Sequence, residues 1–206
     1  PADVGFPPRG GSVDAARDLV DFDQELTLLD LMVLEKRIER LKKEHKTDRE
    51  LETLEQVHGH LADGERAART LELDAAGVLS GFQLLSLKPQ LTLLDLPDDA
   101  APAEAAALEE TLRQTARERG IEVMALRPIV EREIAQLPPE DQASFLDDLG
   151  LSDTARSRFI RRCYHLIDLI SFFTVGEDEV RAWTIVKGTP AVRAAGKIHS
   201  DLERGF

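Results

Sequence analysis

The stretch FFTVGEDEVRAWTIVKGTPAVRAAGKIHSDLERGF, residues 172–206, decides the fold of the C-terminal part of the chain. Apolar and polar residues alternate on both sides of Gly176–Asp178, which is typical of two strands joined by a tight turn. Pro190 follows the second run at a first-turn position, where its fixed φ suits the start of a helix. The stretch therefore predicts a β-hairpin followed by a short helix, the order in which a β-grasp domain begins. A further helix is predicted before the β-hairpin, capped by Ser152 and running to about Leu169.

Upstream of this stretch, the pattern predicts a strand–helix–strand unit. PQLTLLDL, residues 89–96, is short, apolar and bounded by proline, and IEVMAL, residues 121–126, is a second apolar run. The Ala-, Glu- and Arg-rich segment Ala103–Arg119 between them predicts a helix that ends at Gly120. Two parallel strands do not form a stable doubly wound sheet alone. Either partner strands lie before Pro1, or the interpretation is wrong.

The N-terminal third predicts an antiparallel helical hairpin. Two apolar stripes with helical spacing are separated by a turn near Thr47–Asp48. The first consists of Leu31, Leu34, Ile38 and Leu41, and the second of Leu51, Leu54, Val57 or His58, and Leu61. We expect the stripes to pack on each other, with Ser12 or Asp14 capping the first helix and Gly64 ending the second.

Composition narrows the class of protein. The 206 residues are 42% hydrophobic and 32% charged, and no apolar run approaches the roughly 20 residues of a membrane span. Cys163, the only cysteine, excludes an intrachain disulfide and fits a reducing compartment. Because the chain begins with Pro1 rather than Met, we expect it to start inside a longer gene product.

The net charge of −13 is unevenly distributed. Residues 156–206 contain nine Lys and Arg against six Asp and Glu, whereas the rest contains 17 against 33. The overall negative charge argues against a protein that binds nucleic acid over its whole surface. The basic C-terminal quarter is either chance composition or a surface that meets a polyanion.

Most catalytic motifs are absent from the sequence. It contains no GxxxxGK[ST] phosphate loop, and the D-x-x-G matches Asp74–Gly77 and Asp147–Gly150 are weak signals. The pairs His58 and His60, and Cys163 and His165, are too few for a metal site, which needs three or four converging ligands.

One strand end is a candidate binding site. In LLDLPDD, Asp95 and Asp98 come directly after a buried strand, where open α/β sheets bind ligands. A carboxylate there can accept two N–H bonds from a guanine edge. The alternative is a loop acid that caps the next helix.

The chain resembles the YchF-type branch of the Obg-related translation-factor GTPases. DLVDFDQELTLLDLMVLEKRIERL is similar to that family's entry into its helical hairpin, and LSLKPQLTLLDLPDD to its base-recognition strand. Residues 172–206 are similar to its TGS domain, a β-grasp module. The resemblance implies an α+β chain made of an antiparallel helical hairpin, a partial parallel-sheet nucleotide-binding domain and a TGS-like module. The implied divisions are a linker at 1–14, the hairpin at 15–81, the sheet domain at 82–150 and an incomplete TGS-like domain at 151–206.

The resemblance also implies a function. The phosphate loop would lie upstream of Pro1, and further TGS strands would follow Phe206. A complete protein would bind ATP or GTP with Mg²⁺ and act with the ribosome in the cytoplasm, whereas this chain holds no cofactor, is not itself an enzyme and meets no membrane. The family's base motif reads N-x-x-E, but here Asp95 replaces the Asn and Asp98 the Glu. Nucleotide choice is thus left open, and binding itself could be lost.

Two alternatives to a nucleotide hydrolase follow. One is a degenerate, non-hydrolysing relative that binds RNA, the ribosome or protein, and the other is a coiled-coil adaptor. For an RNA or ribosome contact the candidates are the basic residues of the C-terminal module. They are Arg158, Arg161, Arg162, Arg181, Lys187, Arg193 and Lys197. The first three share a helix face at i, i+3 and i+4, although that face could instead pair with nearby acids.

Overall fold

The computed structural model describes residues 14–45, 48–63, 68–71 and 76–206. These residues form two compact units, one ending at Gln136 and the other beginning at Leu137. The predicted hairpin and the predicted sheet segment lie in the same unit, and the domain boundary between residues 150 and 151 stays a prediction.

The first unit begins with the predicted helical hairpin. Helix α1 spans Ala15–Lys43 and α2 spans Arg49–Ala62, and Asp14 and Asp48 cap their first turns by accepting N–H bonds from Arg17 and Leu51. Both predicted stripes face inward, which confirms that they pack on each other. The buried members of this hairpin core are Leu34, Ile38, Leu41, Leu51, Leu54, Val57 and Leu61, joined by Leu79 and Leu84.

A strand–helix–strand unit follows, as predicted. Strand β1 (Leu91–Asp95) pairs in parallel with β2 (Glu122–Leu126), and α4 (Pro102–Glu118) connects them. A 3₁₀ turn at Ala68–Thr70 and the short helix α3 (Ala76–Leu79) lie between α2 and β1. The sheet core is a second cluster, composed of Leu19, Leu94, Leu96, Ala105, Leu112, Ala116, Ile121 and Val123. The unit ends with α5 (Pro128–Gln136).

Helix α1 takes part in both cores. Its Leu19 packs in the sheet core, and its residues from Leu34 onward pack in the hairpin core. The helix has 29 residues and is about 43 Å long at 1.5 Å per residue. The hairpin is therefore a direct continuation of the helix that covers the sheet.

The second unit contains the predicted β-hairpin. Helices α6 (Pro139–Asp148) and α7 (Ala155–Leu166) precede strands β3 (Leu169–Val175) and β4 (Val180–Val186), which pair antiparallel. Gly150, at φ +67°, follows the end of α6 in the left-handed region that glycine favours. Helices α8 (Ala191–Ile198) and α9 (Ser200–Arg204) complete the described chain.

Several predicted boundaries need correction. The cap of α7 is Thr154, which accepts the N–H of Ser157, and not Ser152. The helix ends at Leu166, because Leu169 already begins β3. The predicted linker up to residue 13, the turn residue Thr47, the helix end at Gly64 and the D-x-x-G residue Asp74 lie outside the described residues.

Candidate functional site

The two predicted carboxylates follow the C-terminal end of β1. Asp95 is the last residue of β1 and is half-buried, whereas Asp98 lies exposed in the next turn. Asp95 stands opposite Leu126 at the end of β2, and the N–H of Leu96 donates to the Leu126 carbonyl at 3.0 Å. Both parallel strands therefore end at one edge, the edge where α/β sheets bind ligands.

Two hydrogen bonds hold the turn that carries Asp98. The N–H of Ala100 donates to the Pro97 carbonyl at 3.3 Å, and Arg127, just after β2, donates to the Ala100 carbonyl at 3.3 Å. The proposed alternative role as a helix cap is wrong, because the N-cap of α4 is Ala101 and no side chain caps that helix. An exposed carboxylate on a braced turn can accept the paired N–H donors of a guanine edge.

Beside this edge, β1 borders an apolar cleft. Within the described residues, β1 pairs with β2 alone, so no strand lies along the side of β1 that faces away from β2. A cleft of about 330 Å³ lies there between α1 and β1. Phe22 of α1 is 55% exposed and Leu93 of β1 is 49% exposed, although both are large apolar side chains. An unpaired strand with exposed apolar side chains beside it is typical of a surface that contacts another polypeptide segment.

Sequence reasoning missed a buried polar layer on α1. Asp23, Thr27 and Asp30 are 0%, 0% and 2% exposed, and they lie between the sheet core and the hairpin core. Asp30 accepts the backbone N–H groups of Leu85 at 2.8 Å and Ser86 at 2.7 Å. The signal was present in the sequence, since these polar residues continue the 3–4 spacing between Leu19 and Leu34.

Two arginines hold Asp23. Arg69 Nη1 lies 2.5 Å from Asp23 Oδ1, and Arg119 Nη1 lies 3.1 Å from Asp23 Oδ2. Arg69 also donates to Gln90 Oε1 at 3.0 Å and to the Lys88 carbonyl at 3.3 Å. The cluster joins α1, the 3₁₀ turn, the entry to β1 and the end of α4, so its role is to fix the helix on the sheet.

The predicted arginines of α7 are engaged within the chain. Arg161 forms an ion pair with Asp153, and Arg158 and Arg162 also interact with other groups of the chain. Arg161 and Arg162 are exposed, and Arg158 is half-buried. The expectation that this face pairs with nearby acids is therefore met for Arg161. An exposed ion pair of this kind is weak, so Arg161 can exchange Asp153 for another partner.

The other predicted cations lie on β4, the turn after it and α8. The Arg181 guanidinium is 4.3 Å from the centroid of the Trp183 ring, a cation–π contact. Arg193 Nη1 pairs with Glu203 Oε1 at 2.7 Å. Lys187 and Lys197 are exposed, and no ion pair of theirs is seen in the described part of the chain. The module thus presents a mixture of paired and unpaired cations.

The described residues contain no group of three His, Cys, Asp or Glu side chains that could hold a metal ion. His58 Nε2 lies 3.2 Å from Glu35 Oε1, and His60 Nε2 lies 3.0 Å from Thr70 Oγ1.

None of the helices in the described ranges is both long enough and apolar enough to cross a membrane.

Comparison with known proteins connects these features. The chain is 36% identical over 202 residues to a "Ribosome-binding ATPase YchF" of Haemophilus ducreyi, covering 95% of this chain and 55% of that protein. It is 35% identical over 205 residues to the Bacillus subtilis protein of the same description, covering 95% and 56%. An "Obg-like ATPase 1" of Oryza sativa subsp. indica is 33% identical over 204 residues, covering 95% and 51%.

A solved structure agrees with these relatives. The "Structure of the Schizosaccharomyces pombe YchF GTPase" superposes with a TM-score of 0.82 at 25% identity, covering 99% of this chain and 58% of that chain. Over the shared length, the chain belongs to the YchF/Obg-like ATPase family. The predicted family and fold class are thereby confirmed. The chain spans about half the length of the curated YchF relatives it matches.

The C-terminal unit has a family match of its own. Residues 169–206 match the family YchF-GTPase_C, described as "Protein of unknown function (DUF933)". The matched residues comprise β3, β4, α8 and α9. This agrees with the predicted TGS-like character of the C-terminal end of this YchF relative.

Proposed function

We propose that this chain is the part of a YchF-like nucleotide-binding protein that carries the base-reading strand and the ribosome-contacting module. The observation that carries the proposal is the match along 95% of the chain to proteins named ribosome-binding ATPases. In this proposal the chain itself does not hydrolyse nucleotide, because its sequence has no phosphate loop. A complete protein would bind ATP or GTP with Mg²⁺ and work in the cytoplasm.

The open edge of β1 supports the nucleotide-binding part. A parallel pair of strands is covered on both faces and extended at its edges in stable α/β domains. Leu93 and Phe22 expose about half of their surfaces beside that edge. Further strands of a nucleotide-binding domain would cover them, and Asp98 would then stand at the end of a complete sheet.

The exposed cations of the C-terminal unit support the ribosome-contacting part. The residues that we propose to contact RNA phosphates are Arg158, Arg161, Arg162, Arg181, Lys187, Arg193 and Lys197. On α7 and α8, Arg161, Arg162, Arg193 and Lys197 are exposed, whereas Arg158 is half-buried. Arginine suits phosphate because its fork of N–H groups matches two oxygens.

A second candidate function is a non-hydrolysing binding module. The observation that favours it is the base motif, where Asp95 is half-buried in the strand and supplies no amide donor. Isothermal titration of the gene product with ATP and GTP distinguishes the two functions. Binding of either nucleotide supports the first, and binding of neither, with ribosome association retained, supports the second.

The ribosome contact is tested by co-sedimentation of the chain with ribosomes across a salt series. Changing the three α7 arginines to Gln should weaken binding and lower the slope of log K against log salt by about 2–3, because each lost phosphate contact removes roughly 0.7–0.9. A matched variant removes three exposed cations from the hairpin instead. Its changes are Lys36→Gln, Arg40→Gln and Lys43→Gln. Equal effects of the two triple variants, or binding that ignores salt, would show that the α7 arginines do not contact RNA.

A further inference from the structure

A second cleft lies in the C-terminal unit, between β4 and the pair α8 and α9. Its volume is about 430 Å³. Arg193 and Lys197 line it from α8, Glu203 lines it from α9, and Thr184 lines it from β4. Two cations, one carboxylate and the two threonine residues Thr184 and Thr189 therefore line one cavity.

The two cations differ in their surroundings. Arg193 and Lys197 are separated by one helical turn and share a face of α8. Arg193 already pairs with Glu203 at 2.7 Å, whereas Lys197 has no ion pair among the described side chains. The cleft as it stands therefore carries one net positive charge, and it would carry two without Glu203.

The Glu203 side chain packs closely over Gly196 of α8. A Cβ at Gly196 would lie 2.9 Å from Glu203 Cδ and 3.2 Å from Glu203 Cβ, so a larger residue there would push the Glu203 side chain aside. Helix α9 returns over α8 at His199, whose Nδ1 accepts the N–H of Asp201 at 3.2 Å. The carboxylate is thus packed into the cleft, with its side chain 34% exposed.

We propose that this cleft binds a phosphate of an RNA backbone, and that Glu203 occupies Arg193 until the phosphate displaces it. A carboxylate and a phosphate use the same geometry on a guanidinium, so the two compete for one site. Lys197, with no partner to release, makes the first contact. This assignment rests on the proposed RNA contact of the C-terminal unit and adds to it a defined site with an internal competitor.

The test measures the affinity of the whole chain for a fluorescent single-stranded RNA by anisotropy at several salt concentrations. Glu203→Gln keeps the size of the side chain and removes its charge. It should tighten binding about two- to five-fold at low salt, the range of one exposed ion pair. The matched control is Asp201→Asn, which removes a carboxylate from α9 outside the cleft.

Two further variants connect the effect to the cleft. In an Arg193→Gln background, Glu203→Gln should give no gain, because the arginine that it releases is gone. Lys197→Gln should weaken binding more than Arg193→Gln, since only Arg193 must first lose a partner. This second comparison stands even if Glu203→Gln unfolds the module, which circular dichroism would show.

Each outcome decides the question. Equal affinities of Glu203→Gln and Asp201→Asn, or a gain that persists without Arg193, would overturn the cleft and leave the proposed RNA contact intact. Arg193→Gln weakening binding more than Lys197→Gln would do the same. If neither the wild-type chain nor Glu203→Gln binds RNA, both proposals fail.

Discussion

Removal of Arg69 should be among the most destabilising single changes in the first unit. Its side chain is 6% exposed, and Asp23, with which it pairs at 2.5 Å, is 0% exposed. Arg69→Met would fill similar space while leaving a buried carboxylate with one remaining cation, Arg119. Breaking a buried pair from one side costs about 3–5 kcal/mol, because the other charge stays desolvated.

The single tryptophan makes the assay specific. Trp183 lies in β4 of the second unit, so its fluorescence follows that unit, while far-UV circular dichroism is dominated by the long helices of the first. For a chain of this size, 3–5 kcal/mol corresponds to a fall in Tm of about 6–20 °C. We expect that fall in the circular dichroism transition of Arg69→Met and an unchanged fluorescence transition.

Two control variants separate the charge effect from simple loss of packing. Arg119→Met should cost less, about 1.5–3 kcal/mol, because Arg119 is 23% exposed and Arg69 remains on Asp23. Asp23→Leu combined with Arg69→Met should recover most of the loss, since no buried carboxylate is left unpaired. The reasoning would be refuted if Arg69→Met cost under about 1 kcal/mol, the value of an exposed pair, or if the double variant were less stable than the single one.

Three other predictions address the hairpin and the nucleotide. Leu34→Ala and Leu54→Ala, both fully buried, should each lower the free energy of unfolding by about 2–5 kcal/mol, whereas Met32→Ala on the exposed side of α1 should change it little; denaturant unfolding of all three decides whether the stripes pack together. The chain alone should release no phosphate from ATP or GTP above the buffer rate, and turnover that survives repurification would contradict its assignment. In a nucleotide-binding form of the gene product, Asp98→Asn should weaken guanine binding by about 1.5–3 kcal/mol and Asp95→Asn by less; calorimetry with ATP, GTP and XTP would show equal affinities throughout if this turn does not read bases.

Local patterns predicted the elements because each has its own sequence period. The stripes at Leu34 and Leu54 repeat at helical spacing, and the alternation around Gly176 repeats at strand spacing. Both patterns can therefore be recognised without knowledge of the tertiary structure. Segment ends were less predictable. Ser152 and Thr154 are both good caps, and their side chains alone do not show which one precedes the first helical residue.

The partners of the buried carboxylates were not predictable from the sequence. Asp23 and Asp30 lie on a helix rich in exposed charges, where an aspartate is normally solvated. Their partners are 46 to 96 residues away along the chain: Arg69 and Arg119 for Asp23, and the amides of Leu85 and Ser86 for Asp30. Only the fold brings these groups together, so the spacing indicated a face without indicating its partners.

The hairpin and the candidate base site are connected through Asp30. This carboxylate on α1 accepts the N–H groups of Leu85 and Ser86, and the chain then runs directly into β1 and its terminal Asp95. Asp30→Asn would replace one accepting oxygen by an amide nitrogen that cannot accept, leaving one buried N–H without a partner. An unsatisfied buried donor costs about 1–3 kcal/mol.

The consequence should be local and measurable by native-state hydrogen exchange. Whichever of the Leu85 and Ser86 amides loses its acceptor should exchange about 5- to 150-fold faster in Asp30→Asn, the factor that this loss of free energy implies. Asp21→Asn, an exposed change on the same helix, should leave them unaltered. If both variants exchange like the wild type, Asp30 does not hold the entry to β1, and the hairpin contributes to the strand only through the apolar packing of α1.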